Sequence, residues 1–345
     1  MARARSCRRE GALVAVLKKA KSAWRSLSAS HRSEGVVADD FYLEAEIFVR
    51  RRLLHSQRAY LRAMTIVRGT EEPPKDPIFI IGCPRSGTTL LFRLLSRHET
   101  LGSVRGEGHI FWNTYQHPRR YGWSSDRATE ADIKPGESRY IYSAIRETTG
   151  GGRFLEKTPR NCLRIPYLEA LFPGARYVLL KRSGLDTVSS LIEGWRVRHG
   201  ISYRLPEPLA LDEYQGNFWS YLLPPDWRDV AHTSIAEVAA LQYVSSYETA
   251  LNDLALLDEE RVIELSFEEL LAEPVMHSER LLEALELEPS AGVTAMATNL
   301  TAHPVQTNSP PRPDKWRERA SEIAPVLERI APTMERMGYD VPARL

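Results

Sequence analysis

The chain has 345 residues, 43% of them hydrophobic, enough to build the core of one large domain or two small ones. Lys and Arg (46) balance Asp and Glu (45), so no global field argues for nucleic acid or a membrane surface as a partner, and any anion site must be local. Cys7, Cys83 and Cys162 are odd in number, far apart and without a CxxC pair, which indicates neither a disulfide framework nor a zinc site and suits a reducing cytoplasm.

Residues 1–38 are rich in Arg, Lys, Ser and Ala and read as a basic segment, partly disordered or loosely helical. Within it the apolar run GALVAVL (11–17) is cut short by Lys18, Lys19 and Lys21. It lacks a small-residue cleavage pattern, and no stretch approaches about 18 apolar residues. The expectation is a soluble cytoplasmic protein with no transmembrane segment. From Asp39 to Val67 the spacing of Leu43, Ile47, Leu54 and Leu61 predicts a helix, with arginines largely on other faces. That helix reads as a solvated extension or a partner-binding element. TEEPPKDP (70–77) is a linker, so residues 39–76 form a helical extension and residues 77–345 the main domain.

In that domain the spacing predicts a strand over 78–81, a Gly-rich loop, and a helix from Gly87 to Arg97. GGRFLEKTPRN (151–161) reads as a short strand and a loop. RYVLLKRSGLDTVSSLIEGW (176–195) reads as a buried strand, a turn at Ser183-Gly184 and a helix. Residues 196–232 carry many aromatics and prolines without a clear period, as an insertion or lid would, and their aromatics either line an acceptor pocket or simply pack. Ser234 with Glu237 predicts a capping box before a helix to Leu257, and RVIELSFEELLAEP (261–274) a strand followed by a helical turn. Strands alternating with helices predict an α/β fold with a mainly parallel sheet.

The loop GCPRSGTT (82–89) has the Gly-x4-Gly spacing of a P-loop, but Thr88-Thr89 stands where Lys-Ser or Lys-Thr would be. Backbone N–H groups of such a loop and the following helix N-terminus still make an anion nest, while the point charge that reaches β- and γ-phosphates is lost. Arg85 is a replacement cation inside the loop, able to grip two oxygens. A tight turn without a ligand would use the same residue types. Arg182 ends the strand RYVLLK, and Ser190 lies eight residues on. At the carboxyl end of a parallel strand the two could reach one anion, or could be a carbonyl cap and a solvent-facing serine.

Together, GCPRSGTTLL and KRSGLDTVSS resemble the nucleotide-binding segments of the sulfotransferases that use 3′-phosphoadenosine 5′-phosphosulfate. The resemblance runs from Pro77 to Trp316. It includes SFEELLAEP, with Phe267 where the family has tyrosine, and NSPPRPDKWR (308–317), similar to a cofactor-closing segment. It implies a P-loop-like three-layer α/β/α fold, with Arg85, Ser86, Gly87, Thr88 and Thr89 on the phosphosulfate and Arg182 and Ser190 on the 3′-phosphate. Ser309, Lys315 and Trp316 follow as cofactor contacts, Trp316 equally as core. A donor without β- and γ-phosphates fits the missing lysine and needs no metal.

The similarity is nearest to the bacterial and tyrosylprotein-sulfotransferase branch. There a Gly-Glu after the first helix supplies the base, and a later lysine assists the departing oxygen. RGEGH (105–109) supplies Glu107 and EKTP (156–159) supplies Lys157, with Arg85 as a third catalytic candidate. Burial is expected to raise the Glu107 pKa to a useful value. A surface loop carboxylate for Glu107, and for Lys157 an ion pair with Glu156 or another acid, are the structural alternatives. His109 and His98 are rival bases, since cytosolic members of the family use histidine. The implied activity is sulfuryl transfer to a hydroxyl acceptor, whether small molecule, lipid, carbohydrate or peptide. An ATP-dependent phosphotransferase and a non-catalytic anion-binding scaffold are the alternatives. Nothing in the sequence fixes the acceptor or decides for or against a homo-oligomer.

Overall fold

The computed structural model describes residues 35–104, 106–300 and 314–345, the first seventeen of them as backbone only. The expectations for residues 1–34, Cys7 among them, and for Ser309 therefore lie outside the described residues. The chain divides into two compact units, Met1–Ala63 and Met64–Leu345. In the first, helix α1 (Gly35–Arg68) begins and contains the predicted Asp39–Val67 helix.

The second unit is built on five parallel strands, β1 (Ile78–Ile81), β2 (Leu101–Gly102), β3 (Arg153–Glu156), β4 (Arg176–Lys181) and β7 (Val262–Ser266), in the order β2-β3-β1-β4-β7. All four residues of β1 are fully buried. A central parallel strand is covered on both faces, which is why IFII reads as a continuous apolar run and not as an alternation. The two faces are chemically distinct. Ile78 and Ile80 join Val178, Leu180 and Leu265 in an aliphatic core with α2 (Thr88–Leu95), α9 (Pro274–Ala284) and α10 (Ala291–Thr298). Phe79, on the opposite face, sits in an aromatic layer. Its ring centroid lies 5.8 Å from Tyr177, 6.2 Å from Phe154, 5.4 Å from Phe172 and 6.3 Å from Trp112. The remaining helices that frame the sheet are α3 (His109–Trp112), α4 (Glu137–Thr149), α5 (Ile165–Leu171), α6 (Gly184–Arg196), α7 (Ile235–Leu254), α8 (Phe267–Ala272), α11 (Ala320–Ile323) and α12 (Leu327–Arg336). This is the predicted α/β architecture, a mainly parallel sheet flanked by helices.

The stretch 196–232 is not irregular. About half of it is an antiparallel ribbon of β5 (Ile201–Leu211) and β6 (Tyr214–Ser220). Tyr203, Leu205, Leu209 and Leu211 are buried at alternate positions, while Pro206 and Pro208 sit at a break in register that hides the period. Its aromatics pack on each other. The Trp195 and Trp219 centroids are 5.1 Å apart and those of Trp219 and Trp227 5.6 Å. The two later indoles donate to the carbonyls of Leu222 and Trp123. Ser234 caps α7 by accepting from the Glu237 N–H at 3.1 Å, but the Glu237 carboxylate turns to Arg329 instead of closing the expected box.

One buried carboxylate ties the ribbon to the sheet-edge loops. Asp126 and Arg164 have fully buried side chains and meet at 2.7 Å. The same carboxylate accepts the Tyr203 hydroxyl and, at 2.7 Å, the Leu223 N–H. Arg164 Nε also donates to the Asp126 carbonyl at 2.9 Å. Removing one member of such a pair leaves an uncompensated buried charge. Asp126→Ala should therefore lower unfolding stability by about 3–5 kcal/mol, read as a shift in denaturant midpoint with an unchanged slope.

Candidate active site

Strand β1 empties into the loop at Gly82. The Ser86 N–H donates to the Cys83 carbonyl at 3.1 Å, and Arg85 (φ 72°) and Gly87 (φ 101°) both take left-handed backbone conformations. That geometry is uncommon for an arginine. At Gly87 no side chain fits, because an added Cβ would lie 2.3 Å from the Phe267 ring. Helix α2 starts at Thr88, and its first turn leaves N–H groups without intrahelical acceptors at the mouth of the loop. Ser86 is fully buried.

Arg182 leaves the end of β4, and Ser190 sits on α6, which begins at Gly184. Both converge on Arg85. Arg182 Nη1 donates to the Arg85 carbonyl at 2.9 Å, and Arg85 Nε donates to the Ser190 hydroxyl at 3.1 Å. The Arg182 guanidinium lies 4.6 Å from the centroid of Phe267. Its Nε is buried without a partner. The C-terminal segment docks on the same helix. Lys315 pairs with Glu193 at 2.9 Å, and Trp316 is 8% exposed with the Arg317 guanidinium over its ring. Burial pushes the Asp186 carboxyl up, against the opposing pull of Arg182 and of the Trp316 backbone N–H that it accepts. Arg319 was not singled out from the sequence. Its Nη1 is 3.4 Å from the Ser189 hydroxyl and its Nε is buried without a partner.

The acceptor-side candidates come together in a second cluster. Glu107 is held at both oxygens, Oε1 by Lys157 Nζ at 2.8 Å and Oε2 by His109 Nε2 at 2.8 Å. Lys157 is almost fully buried, and its partner is Glu107, not Glu156. Desolvation pulls the Glu107 pKa up, but the Lys157 charge and the hydrogen bonds from His109 and Lys157 outweigh it and hold the carboxyl well below the usual range. The expectation that burial raises this pKa is therefore corrected: the neighbouring cation wins. Burial, with the Arg160 charge, pushes His109 below its ordinary value despite the pull of Glu107 in the other direction. A neutral ring that donates through Nε2 keeps its lone pair on Nδ1, and that atom is buried without a partner.

His98 is not part of this cluster. Its Nε2 faces the Glu288 carbonyl at 2.9 Å and its Nδ1 the Thr100 N–H and hydroxyl, an arrangement that ties α2 to the segment before α10. Arg160, also missed from the sequence, is buried with its guanidinium 4.5 Å from the Tyr203 centroid and acts electrostatically on both His109 and Glu107. Lone arginines and serines past a Trp or a Pro carry no spacing signal, which is why Arg160 and Arg319 emerge only from the fold. Cys83 and Cys162 are buried free thiols, both pushed up by desolvation, Cys162 to about 12. Among the described residues no group of three or more His, Cys, Asp or Glu is placed to hold a metal ion, and no helix is long and apolar enough to cross a membrane.

Comparison with known proteins bears on this arrangement. The Sulfotransferase family profile matches residues 77–223, which contain the loop, Glu107, Lys157, Arg182 and Ser190. An uncharacterized protein of Aquifex aeolicus is 24% identical over 192 residues, half of this chain, and the aligned region is a quarter (25%) of that relative's length. Protein-tyrosine sulfotransferase A of Caenorhabditis elegans is 26% identical over 294 residues, covering 76% of this chain and 67% of that protein. Among solved structures, sulfotransferase STF9 from Mycobacterium avium superposes with a TM-score of 0.50 at 15% identity, over 84% of this chain and 83% of its own, a likeness of fold. The matched segment holds the strand, loop and helix described above, and over it the chain is similar to the sulfotransferase family.

Proposed function

We propose that the protein moves a sulfuryl group from 3′-phosphoadenosine 5′-phosphosulfate to a hydroxyl acceptor at the carboxyl edge of its sheet. The observation that supports this most is the interlock of Arg85, Arg182 and Ser190 behind the loop, with a buried Arg182 Nε that finds no partner in the protein. A buried guanidinium N–H left unbonded is costly, and an oxyanion would satisfy it. The loop N–H groups, Arg85, Ser86, Gly87, Thr88 and Thr89 would hold the phosphosulfate. Arg182 and Ser190 would hold the 3′-phosphate, with Lys315, Trp316 and Ser309 on the closing segment. When bound, the donor supplies an electrophilic sulfur whose leaving group is a phosphate oxygen.

On this reading the Glu107–Lys157 pair is a coupled device. Lys157 has three donors and one contact with Glu107, and turning toward the departing oxygen would loosen that contact. As it does so the carboxylate loses the charge that depresses its basicity and becomes able to take the acceptor proton at Oε1. His109 keeps Oε2 by donating from Nε2. A second reading is favoured by the unpartnered Nδ1: the imidazole takes the proton and Glu107 only orients the ring. An ATP-dependent phosphotransferase would show tighter binding of ATP than of adenosine 3′,5′-bisphosphate. A non-catalytic scaffold would show no transfer.

Arg182→Ala should weaken adenosine 3′,5′-bisphosphate by about 10–150-fold, the equivalent of a lost charge-assisted contact, while adenosine 5′-monophosphate is little affected. Equal weakening of both in calorimetry would remove Arg182 from the 3′-phosphate. Transfer should persist in excess EDTA, and activity restored only by magnesium would favour the phosphotransferase.

Glu107→Gln should cut single-turnover sulfuryl transfer by about 10²–10⁴-fold with donor binding unchanged, and His109→Ala far less. The reverse ranking would assign the base to His109. In Lys157→Met the acid limb of kcat/KM, which reports the free enzyme, should move to higher pH. The base must be deprotonated to work, and without Lys157 its pKa rises from the depressed value toward the ordinary carboxylate range. A limb that stays in place would break the link between Lys157 and the base.

A further inference from the structure

Glu156 ends β3 immediately before Lys157, is 1% exposed and is absent from any role so far described. Its carboxylate is the hub of the loop opposite. Oε1 accepts the Gly108 N–H at 2.9 Å and the Thr158 hydroxyl, and Oε2 accepts Asn161 Nδ2 at 2.7 Å. Gly108 is the residue between Glu107 and His109, and its N–H is shared with the Thr158 hydroxyl at 3.0 Å. The fit is close on the loop side as well. An added Cβ at Gly108 would lie 2.7 Å from Glu156 Oε1 and 2.9 Å from Trp112 Nε1, although the Gly108 backbone (φ −72°) is one that alanine adopts without strain.

We propose that Glu156 is the positioning residue of the acceptor side: by gripping the Gly108 N–H it sets where Glu107 and His109 stand relative to Lys157. This rests on the reading above that Glu107, Lys157 and His109 serve the transfer. The physical reason is accounting of donors and space. Three donors converge on one buried carboxylate, and no other acceptor in the loop reaches the Gly108 N–H except the Thr158 hydroxyl that Glu156 itself fixes. Burial pushes the Glu156 carboxyl up, opposed by its Thr158 and Gly108 hydrogen bonds. The group is thus costly to keep there and is retained with its donors matched. Lys157 and Glu156 are adjacent on the chain, so the cation that meets Glu107 and the anion that anchors its backbone move together. A shift of about 1 Å at such a point is enough to reduce turnover roughly 100-fold without touching binding.

The test uses the full chain carrying ¹⁵N-labelled histidine, with the His109 ring assigned by difference against His109→Gln. Two variants act on the same contact from opposite sides. Glu156→Gln places an amide NH₂ where a carboxylate oxygen received Asn161 or Gly108, and Gly108→Ala pushes a methyl against Glu156 Oε1. Expected for both is turnover lowered by roughly 100-fold, adenosine 3′,5′-bisphosphate affinity within about twofold of wild type, since the anion nest is a separate contact set, and a His109 titration that moves up toward the ordinary value of about 6.5 as water and altered geometry reach the ring. In the double variant the losses should not add, because both remove one interaction. The proposal is overturned if folded Glu156→Gln and Gly108→Ala keep wild-type turnover and His109 titration. It is equally overturned if nucleotide affinity falls in step with turnover, the mark of general damage. A wild-type protein that transfers no sulfuryl group, yet shows the His109 shift in both variants, would uphold the positioning role and remove the assigned reaction.

Discussion

The sheet has all its strands parallel, so every strand-to-helix loop leaves from one edge, and the candidate site residues that follow β1, β3 and β4 gather there. β1 contributes the Gly-rich loop, β3 delivers Glu156 and Lys157, and β4 delivers Arg182. β1 stands between β3 and β4, so the loop that starts α2 has the Lys157 segment on one side and the Arg182 segment on the other. The order β2-β3-β1-β4-β7 reverses winding direction at this strand, and a crevice at a switch point of that kind is where open α/β sheets bind ligands. The burial of β1 is what keeps the arrangement fixed. Aliphatic packing on one face and the Phe79 aromatic layer on the other give the strand a single register.

Two buried carboxylates hold the loops that the sheet alone cannot. Asp126 binds the 3-10 segment before α5 to the β5–β6 ribbon through Arg164, Tyr203 and Leu223, and Glu156 binds the Glu107 loop to β3. Asp126 meets the buried Arg164 guanidinium, and Glu156 meets the uncharged donors of Gly108, Thr158 and Asn161. Each is surrounded by donors whose geometry the fold fixes, and a buried anion is tolerated only on those terms. Glu107 differs because a third of its side chain stays open and its lysine partner comes from another loop. The first two carboxylates are built to stay in place, and the third has room to change partner.

Much of this was legible in the sequence, for identifiable reasons. The strand 78–81, the helix after the loop, the β4–α6 unit and the cap at Ser234 are local: each is set by apolar run length, glycine and a capping hydroxyl. The pairing of Arg85 with Ser190 and Arg182 follows once β1 and β4 are neighbours. The ribbon was missed because two prolines and a shifted register interrupt a period that persists at Tyr203, Leu205, Leu209 and Leu211. The Glu107 pKa was misjudged because burial is readable from glycine neighbours and apolar context, whereas the partner cation is separated by fifty positions in the chain. Arg160, Arg319 and Glu156 share that property: their meaning lies wholly in what folding brings near them.

On the proposed reading, the electrostatic contrast between the two halves of the site suggests why the loop 82–89 can dispense with a P-loop lysine. Arg182 donates to a carbonyl, lies over a ring face and acts electrostatically on the Asp186 carboxyl, and on the proposed reading its guanidinium would meet the 3′-phosphate. On the acceptor side Lys157 is compensated by Glu107 at 2.8 Å. A lysine inside the loop would face the phosphate permanently. Under the proposed function, a lysine just past β3 that begins paired to a carboxylate would release positive charge toward the leaving oxygen and basicity toward the acceptor in one movement, activating the two ends of the transfer together. Such coupling needs the pair to be short and its scaffold rigid, and the buried Glu156 beside Lys157 meets the second requirement where the first is set by the 2.8 Å contact.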